Sequence, residues 1–98
     1  MGYYTVHTAE NLTKEQIEDL AKIADLPEYY LTGEEECKWY SFGDDFKELS
    51  LKYPDELLIF SGEGEESGDI WKYYAKNGLG YTAKAIVIFP DFNEAELE

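Results

Sequence analysis

The pair Asn77-Gly78 lies between two runs rich in aromatic and β-branched residues, one around Ile70-Trp71-Lys72-Tyr73-Tyr74 and one over Tyr81–Phe89. Both residues of the pair tolerate positive φ, which is what a tight hairpin turn of the correct twist demands. Residues 69–76 and 81–89 are therefore expected to be antiparallel neighbours. That hairpin constrains everything before it. The rest of the chain must supply more strands, or helices that cover one face of the sheet.

It supplies both. Thr13 and Gln16 stand three apart as a capping box, and Leu12 and Ile17 flank them as a hydrophobic staple. Ile17, Leu20, Ala21 and Ala24 then repeat with helical spacing and Pro27 ends the run, so a helix is expected over 13–25. A second helix is expected in 43–54. Asp44 and Asp45 sit in its first turn, where the helix dipole favours them, Phe46, Leu49 and Tyr53 form its stripe, and Pro54 stops it. Residues 3–8 read as a first strand, 29–42 as two short extended pieces around a turn at Thr32-Gly33-Glu34, and 56–64 as a strand buried on both faces at its start. Residues 90–98 read as a frayed acidic tail. No repeat or linker interrupts 1–98, which reads as a single domain. The economical packing is α+β, an antiparallel sheet of four to six strands with two helices on one face, the ferredoxin-like plan.

Charge limits what such a domain can bind. Asp and Glu number 22 against 8 Lys and Arg, a net charge of −14. The chain is repelled by nucleic acid and anionic membrane and is drawn to basic partners. Its longest apolar run, Ala85–Phe89, is far too short to span a bilayer. The opening MGYYTVHT has no basic stretch and no apolar core of a signal peptide, and Val6 stands where a Gly2 myristoylation motif needs Ser or Thr. With one cysteine, Cys37, an internal disulfide is impossible, and a reducing, cytoplasmic setting is expected.

Residues 38–78 carry a set of motifs: Lys38-Trp39-Tyr40, Tyr53-Pro54-Asp55, Gly62–Glu66, Gly68-Asp69 and Trp71. In this set the chain resembles small ferredoxin-like domains of phages and mobile elements, akin to the YubB ferredoxin-like group. The resemblance implies the fold and a phage-like origin. It carries no activity and covers about two-fifths of the chain.

The stretch Ser61-Gly-Glu-Gly-Glu-Glu-Ser-Gly-Asp69 places oxygen ligands at alternate positions, as a calcium loop does. Its sixth position is Glu66 rather than Gly, and its twelfth is Lys72 rather than Glu. It reads instead as a hairpin tip whose acids stay in water, with Gly64 and Gly68 supplying backbone freedom. No metal or cofactor is expected. Gly62-Glu-Gly64 lacks the lysine of a phosphate cradle. His7 is the lone histidine, the serines lack a nucleophile context, and three glutamates precede Cys37, which opposes a reactive thiolate. No catalytic set emerges. Trp39, Tyr40, Trp71, Tyr73 and Tyr74 could stack bases, but their acidic neighbours oppose phosphate, so Trp39 and Trp71 are expected in the core.

The acids themselves remain. Glu63 and Glu65, two apart in an extended strand, would lie roughly 7 Å apart, about the spacing of successive phosphates on one DNA strand. Glu34, Glu35, Glu36, Asp44, Asp45, Glu63, Glu65, Glu66 and Asp69 are the expected contact surface for a basic, nucleic-acid-binding host protein. The expected function is non-enzymatic inhibition of a host defence nuclease, of the anti-CRISPR or anti-restriction type, by partial imitation of nucleic acid. An antitoxin or immunity protein against a basic toxin has the same electrostatics. A small-molecule-binding accessory domain is a third reading.

Overall fold

The computed structural model describes residues 3–98; Met1 and Gly2, and with them the myristoylation position, lie outside the described residues. Strand β1 (Thr5–Ala9) is followed by helix α1 (Lys14–Ala24), helix α2 (Phe42–Lys52), and strands β2 (Leu58–Gly64), β3 (Ile70–Lys76) and β4 (Leu79–Lys84). The four strands form one antiparallel sheet in the order β1-β2-β3-β4, with both helices on one face. The architecture is α+β, with the ferredoxin-like layering expected, and the strands follow one another across the sheet in chain order.

Local chemistry sets the elements. Thr13 caps α1: its side chain accepts from Gln16 N–H at 3.2 Å, and Gln16 Oε1 accepts from Thr13 N–H at 2.8 Å. Asp25 closes the helix in the left-handed region at φ 56°. Asn77 and Gly78 take φ 49° and 81°, as a primed hairpin turn requires. The Gly78 N–H donates to Ser50 Oγ at 2.8 Å, which ties this turn to α2.

Alternation then sorts the side chains. Leu58 and Phe60 of β2, with Tyr73 and Ala75 of β3, face the helices and pack against Leu20, Phe46 and Leu49. Ile59, Tyr74 and Tyr81 line the opposite face, which no helix among the described residues covers; their positions are cross-strand neighbours. The expectation that 56–64 is buried on both faces at its start is thus corrected. Leu58 is buried, but Leu57 is exposed and Ile59 only half-buried, because one face of the sheet has no second layer.

Two other extended segments come out shorter than expected. Residues 29–42 give a single 3-10 turn (Glu28–Tyr30) and two isolated bridges, Thr8 with Thr32 and Thr5 with Cys37, along the open edge of β1. The last strand stops at Lys84 rather than 89. Its partner β3 begins at Ile70, and the final rung is Ala85 N–H to Ile70 C=O at 2.9 Å, so beyond it β3 offers no backbone to pair with. Residues 90–98 carry one 3-10 turn (Glu94–Glu96), with Asn93 as its cap, and lie exposed.

Candidate functional site

Antiparallel order brings the start of β1, the end of β2, the start of β3 and the end of β4 to one end of the sheet. The first turn of α2 reaches the same end, where Gly43 shares a hollow with Trp71 and Lys84. The nine acids singled out in the sequence are spread over three segments; the fold brings two of them to this end and lays the third along the adjoining edge of β1. Glu34, Glu35 and Glu36 lie in the segment that bridges to β1 at Thr32 and Cys37. Asp44 and Asp45 open α2, and Glu63, Glu65, Glu66 and Asp69 belong to the β2–β3 hairpin.

The N-terminal strap Tyr3-Tyr4 fastens these segments together. The Tyr3 hydroxyl donates to Asp69 Oδ2 at 2.6 Å and accepts from Glu66 N–H at 3.0 Å. The Tyr3 N–H donates to the Tyr40 hydroxyl, and the Tyr4 N–H donates to Glu65 Oε2 at 2.7 Å. The Tyr3 phenol is pushed above its ordinary pKa, chiefly by its hydrogen bond to the Asp69 carboxylate. Lys38 places its ammonium 5.0 Å from the centre of the Tyr4 ring.

The nine acids therefore do two kinds of work. Asp45 accepts from both Trp39 Nε1 and Ser41 Oγ at 2.8 Å. With Asp69, it fastens the architecture, whereas Glu65 accepts from the Tyr4 N–H and still faces water, as expected of the acids between Gly64 and Gly68. Glu34, Glu35, Glu36, Asp44, Glu63, Glu65 and Glu66 stand exposed. The phosphate-like spacing expected of Glu63 and Glu65 does not carry over as two rungs of one strand, because β2 ends at Gly64 and Glu65 is already in the turn.

Beneath the acids lies a hollow of about 410 Å³, lined among others by His7, Trp39, Asp69, Trp71, Tyr73 and Lys84. His7 is 2 % exposed and packed among the rings of Trp39, Phe42 and Trp71, at centroid distances of 5.1, 5.1 and 5.8 Å. Burial lowers the imidazole pKa to about 4, against a smaller opposing effect of a hydrogen bond to the Thr5 backbone. Cys37 Sγ lies 3.8 Å from His7 Nδ1, a neighbour that no local pattern in the sequence reveals because the β1 bridge creates it. Burial pushes the Cys37 thiol pKa up while it pushes the imidazole pKa down. Both shifts favour the neutral pair over thiolate and imidazolium, the opposite of what a nucleophilic cysteine needs.

The aromatic residues do not form one platform. Trp39 and Tyr73 are buried, as core packing requires, and Tyr40 is 74 % exposed. Tyr74 lies on the far face of the sheet. Trp71, expected in the core, is only half-buried: its indole lies over Gly62, where any Cβ would collide with it, and its other side opens into the hollow. Among the described residues, no group of three or more His, Cys, Asp or Glu side chains is placed to hold a metal ion, and no helix is long and apolar enough to cross a membrane. No protein-family model, curated protein or solved structure matches the chain.

Proposed function

We propose that the acidic end is a recognition surface for the basic, nucleic-acid-facing groove of a host defence nuclease. The chain then acts as a phage-encoded inhibitor in the host cytoplasm and performs no catalysis of its own. One observation carries the reading: acids of the α2 start and of the β2–β3 hairpin, far apart in sequence, share one end of the sheet, Glu34–Glu36 lie along the adjoining edge of β1, and seven of the nine carboxylates remain exposed. Like charges repel, so a fold that gathers them forgoes stability unless a basic partner offsets the repulsion. The gathered charge steers encounter and suppresses wrong partners, while exposed aromatic surface such as Tyr40 supplies short-range contact. An antitoxin or immunity protein would use the same electrostatics.

Affinity capture from host lysate tests this, with wild-type protein and a Glu34/Glu35/Glu36/Glu63/Glu66→Gln variant as baits. The expected result is a nucleic-acid-binding nuclease held by the wild type and lost by the variant. DNA or RNA should compete with the inhibitor for it, and the complex should weaken as salt rises. A captured small basic toxin would move the reading to the antitoxin class. A partner that binds wild type and variant equally, or that keeps its nucleic acid when inhibited, would remove the acidic end from the site.

A further inference from the structure

Residues 70–90 contain no Asp or Glu, in a chain with 22 of them, and carry Lys72, Lys76 and Lys84. They comprise β3, the edge strand β4 and the run Ala85–Phe89 that follows it. Ile86, Val87, Ile88 and Phe89 are 82, 73, 80 and 83 % exposed. The segment stands off the body, and the radius of gyration is 16.3 Å, against about 13 Å for a compact chain of this length. A strand apolar on both faces is the pattern of one buried on both sides.

We propose that this segment pairs with its counterpart in a second copy of the chain, forming a two-fold dimer whose sheets join through β4. The register follows from the ladder. Ala85 N–H points at β3, so residues 82, 84, 86 and 88 turn their backbone groups to the free edge. A dyad at Ala85 pairs 82 with 88 and 84 with 86 as hydrogen-bonded rungs, and Ala85 faces itself in the closer, non-hydrogen-bonded position, which suits a small side chain. On the uncovered face Tyr81 then meets Phe89 of the second copy, and Ala83 meets its Val87. Phe89 thereby extends the row in which Tyr74 and Tyr81 already stand 5.4 Å apart. A dyad at residue 84 would instead set Lys84 against itself.

Beyond Phe89 the same register runs Phe92 of the second copy past Gly78 and Leu79. An apolar groove of about 510 Å³ waits there, lined by Pro54, Leu57, Tyr74, Leu79 and Tyr81 among others. Tyr81, Phe89 and Phe92 of both copies alone supply about 900 Å² at about 150 Å² each, most of what a standard interface of roughly 1,600 Å² requires. Charge permits the approach. The paired rungs 81–89 lie within the acid-free stretch, Asp91 alone enters beside Phe92, and the two acidic hairpins stand four strand spacings apart, about 19 Å, beyond the screening length of about 8 Å at physiological salt.

Sedimentation of the full chain at about 100 µM, where a standard-size interface is populated, should show a dimer that tightens as salt rises. Val87→Asp/Ile88→Asp, on side chains exposed in the monomer, should keep its circular dichroism spectrum and sediment as a monomer. Ala85→Cys should form an intermolecular disulfide on mild oxidation, whereas Thr82→Cys, about 20 Å from its own counterpart in this register, should not. A monomeric wild type, a double variant that stays dimeric, or a Thr82→Cys disulfide that forms as readily as the Ala85→Cys one would each overturn the proposal.

Discussion

The acidic end and the β4 edge are both surfaces, and they are held in opposite ways. At the acidic end, carboxylates act as hydrogen-bond acceptors, and bonds between residues 61 and 66 apart in sequence lock hairpin to strap. At the β4 edge, one ladder to β3 holds the strand, and past Ala85 nothing among the described residues continues it. The contrast inverts a common intuition: here charged side chains help build the fold, while the longest apolar run faces water. What decides is the availability of partners. A carboxylate beside Trp39 Nε1 or the Tyr3 hydroxyl becomes structural, and an isoleucine beyond the last rung of a ladder does not.

That contrast can be broken at its strongest point first. Trp39→Ala empties a site 8 % exposed and removes the donor to Asp45, so it should destabilise by about 3–5 kcal/mol, read from urea denaturation. An effect under 1 kcal/mol would mean that the acidic end is not anchored through the core.

Next comes His7. Folded, it stays neutral down to about pH 4, whereas the unfolded chain protonates it near pH 6.5. Its contribution is intact above pH 6.5 and is lost as pH falls towards 4, by about 3 kcal/mol if the whole shift is realised. His7→Leu should abolish that slope; a stability profile unchanged by the substitution would show that His7 does not set it.

The smallest effects sharpen the division among the acids. Asp45→Ala should cost about 1–2 kcal/mol, because it strands the Trp39 N–H and frees Ser41. Glu34/Glu35/Glu36→Gln should change stability by no more than about 0.5 kcal/mol in either direction. Equal costs for the two variants would erase the distinction between acids that fasten and acids that face solvent.

Much of the frame was legible because it is written locally. The capping box at Thr13 and Gln16, the stop at Pro27, the stripe of Phe46 and Leu49, and the turn at Asn77-Gly78 each depend on neighbours a few residues away. What was not legible depends on partners far along the chain. No pattern in 81–89 reveals that β3 starts at Ile70 and leaves Ile86 without a rung. No pattern in 63–69 reveals that Tyr3 and Tyr4 come to rest on Glu65 and Asp69. The acids were legible as a list of residues; the meeting of the α2 start with the β2–β3 hairpin, the lie of Glu34–Glu36 along β1, and the split between Asp45 and Glu34 come from antiparallel strand order and the two bridges to β1.

The sequential strand order also sets a timetable. β2, β3 and β4 are joined by short turns, so their pairing closes small loops, whereas β1 must find β2 across both helices. Closing that long loop costs more entropy and is rewarded only after the meander exists. β1 should therefore be the last strand to dock and the first to leave. Pulse-labelled hydrogen exchange should protect Phe60 and Tyr73 amides before those of Val6 and Thr8, which face β2, and the reverse order would refute it. During synthesis, the strap waits beside an unfinished sheet, and the acidic end exists as a surface only once the chain has been made as far as Asp69 and has folded back on its own beginning.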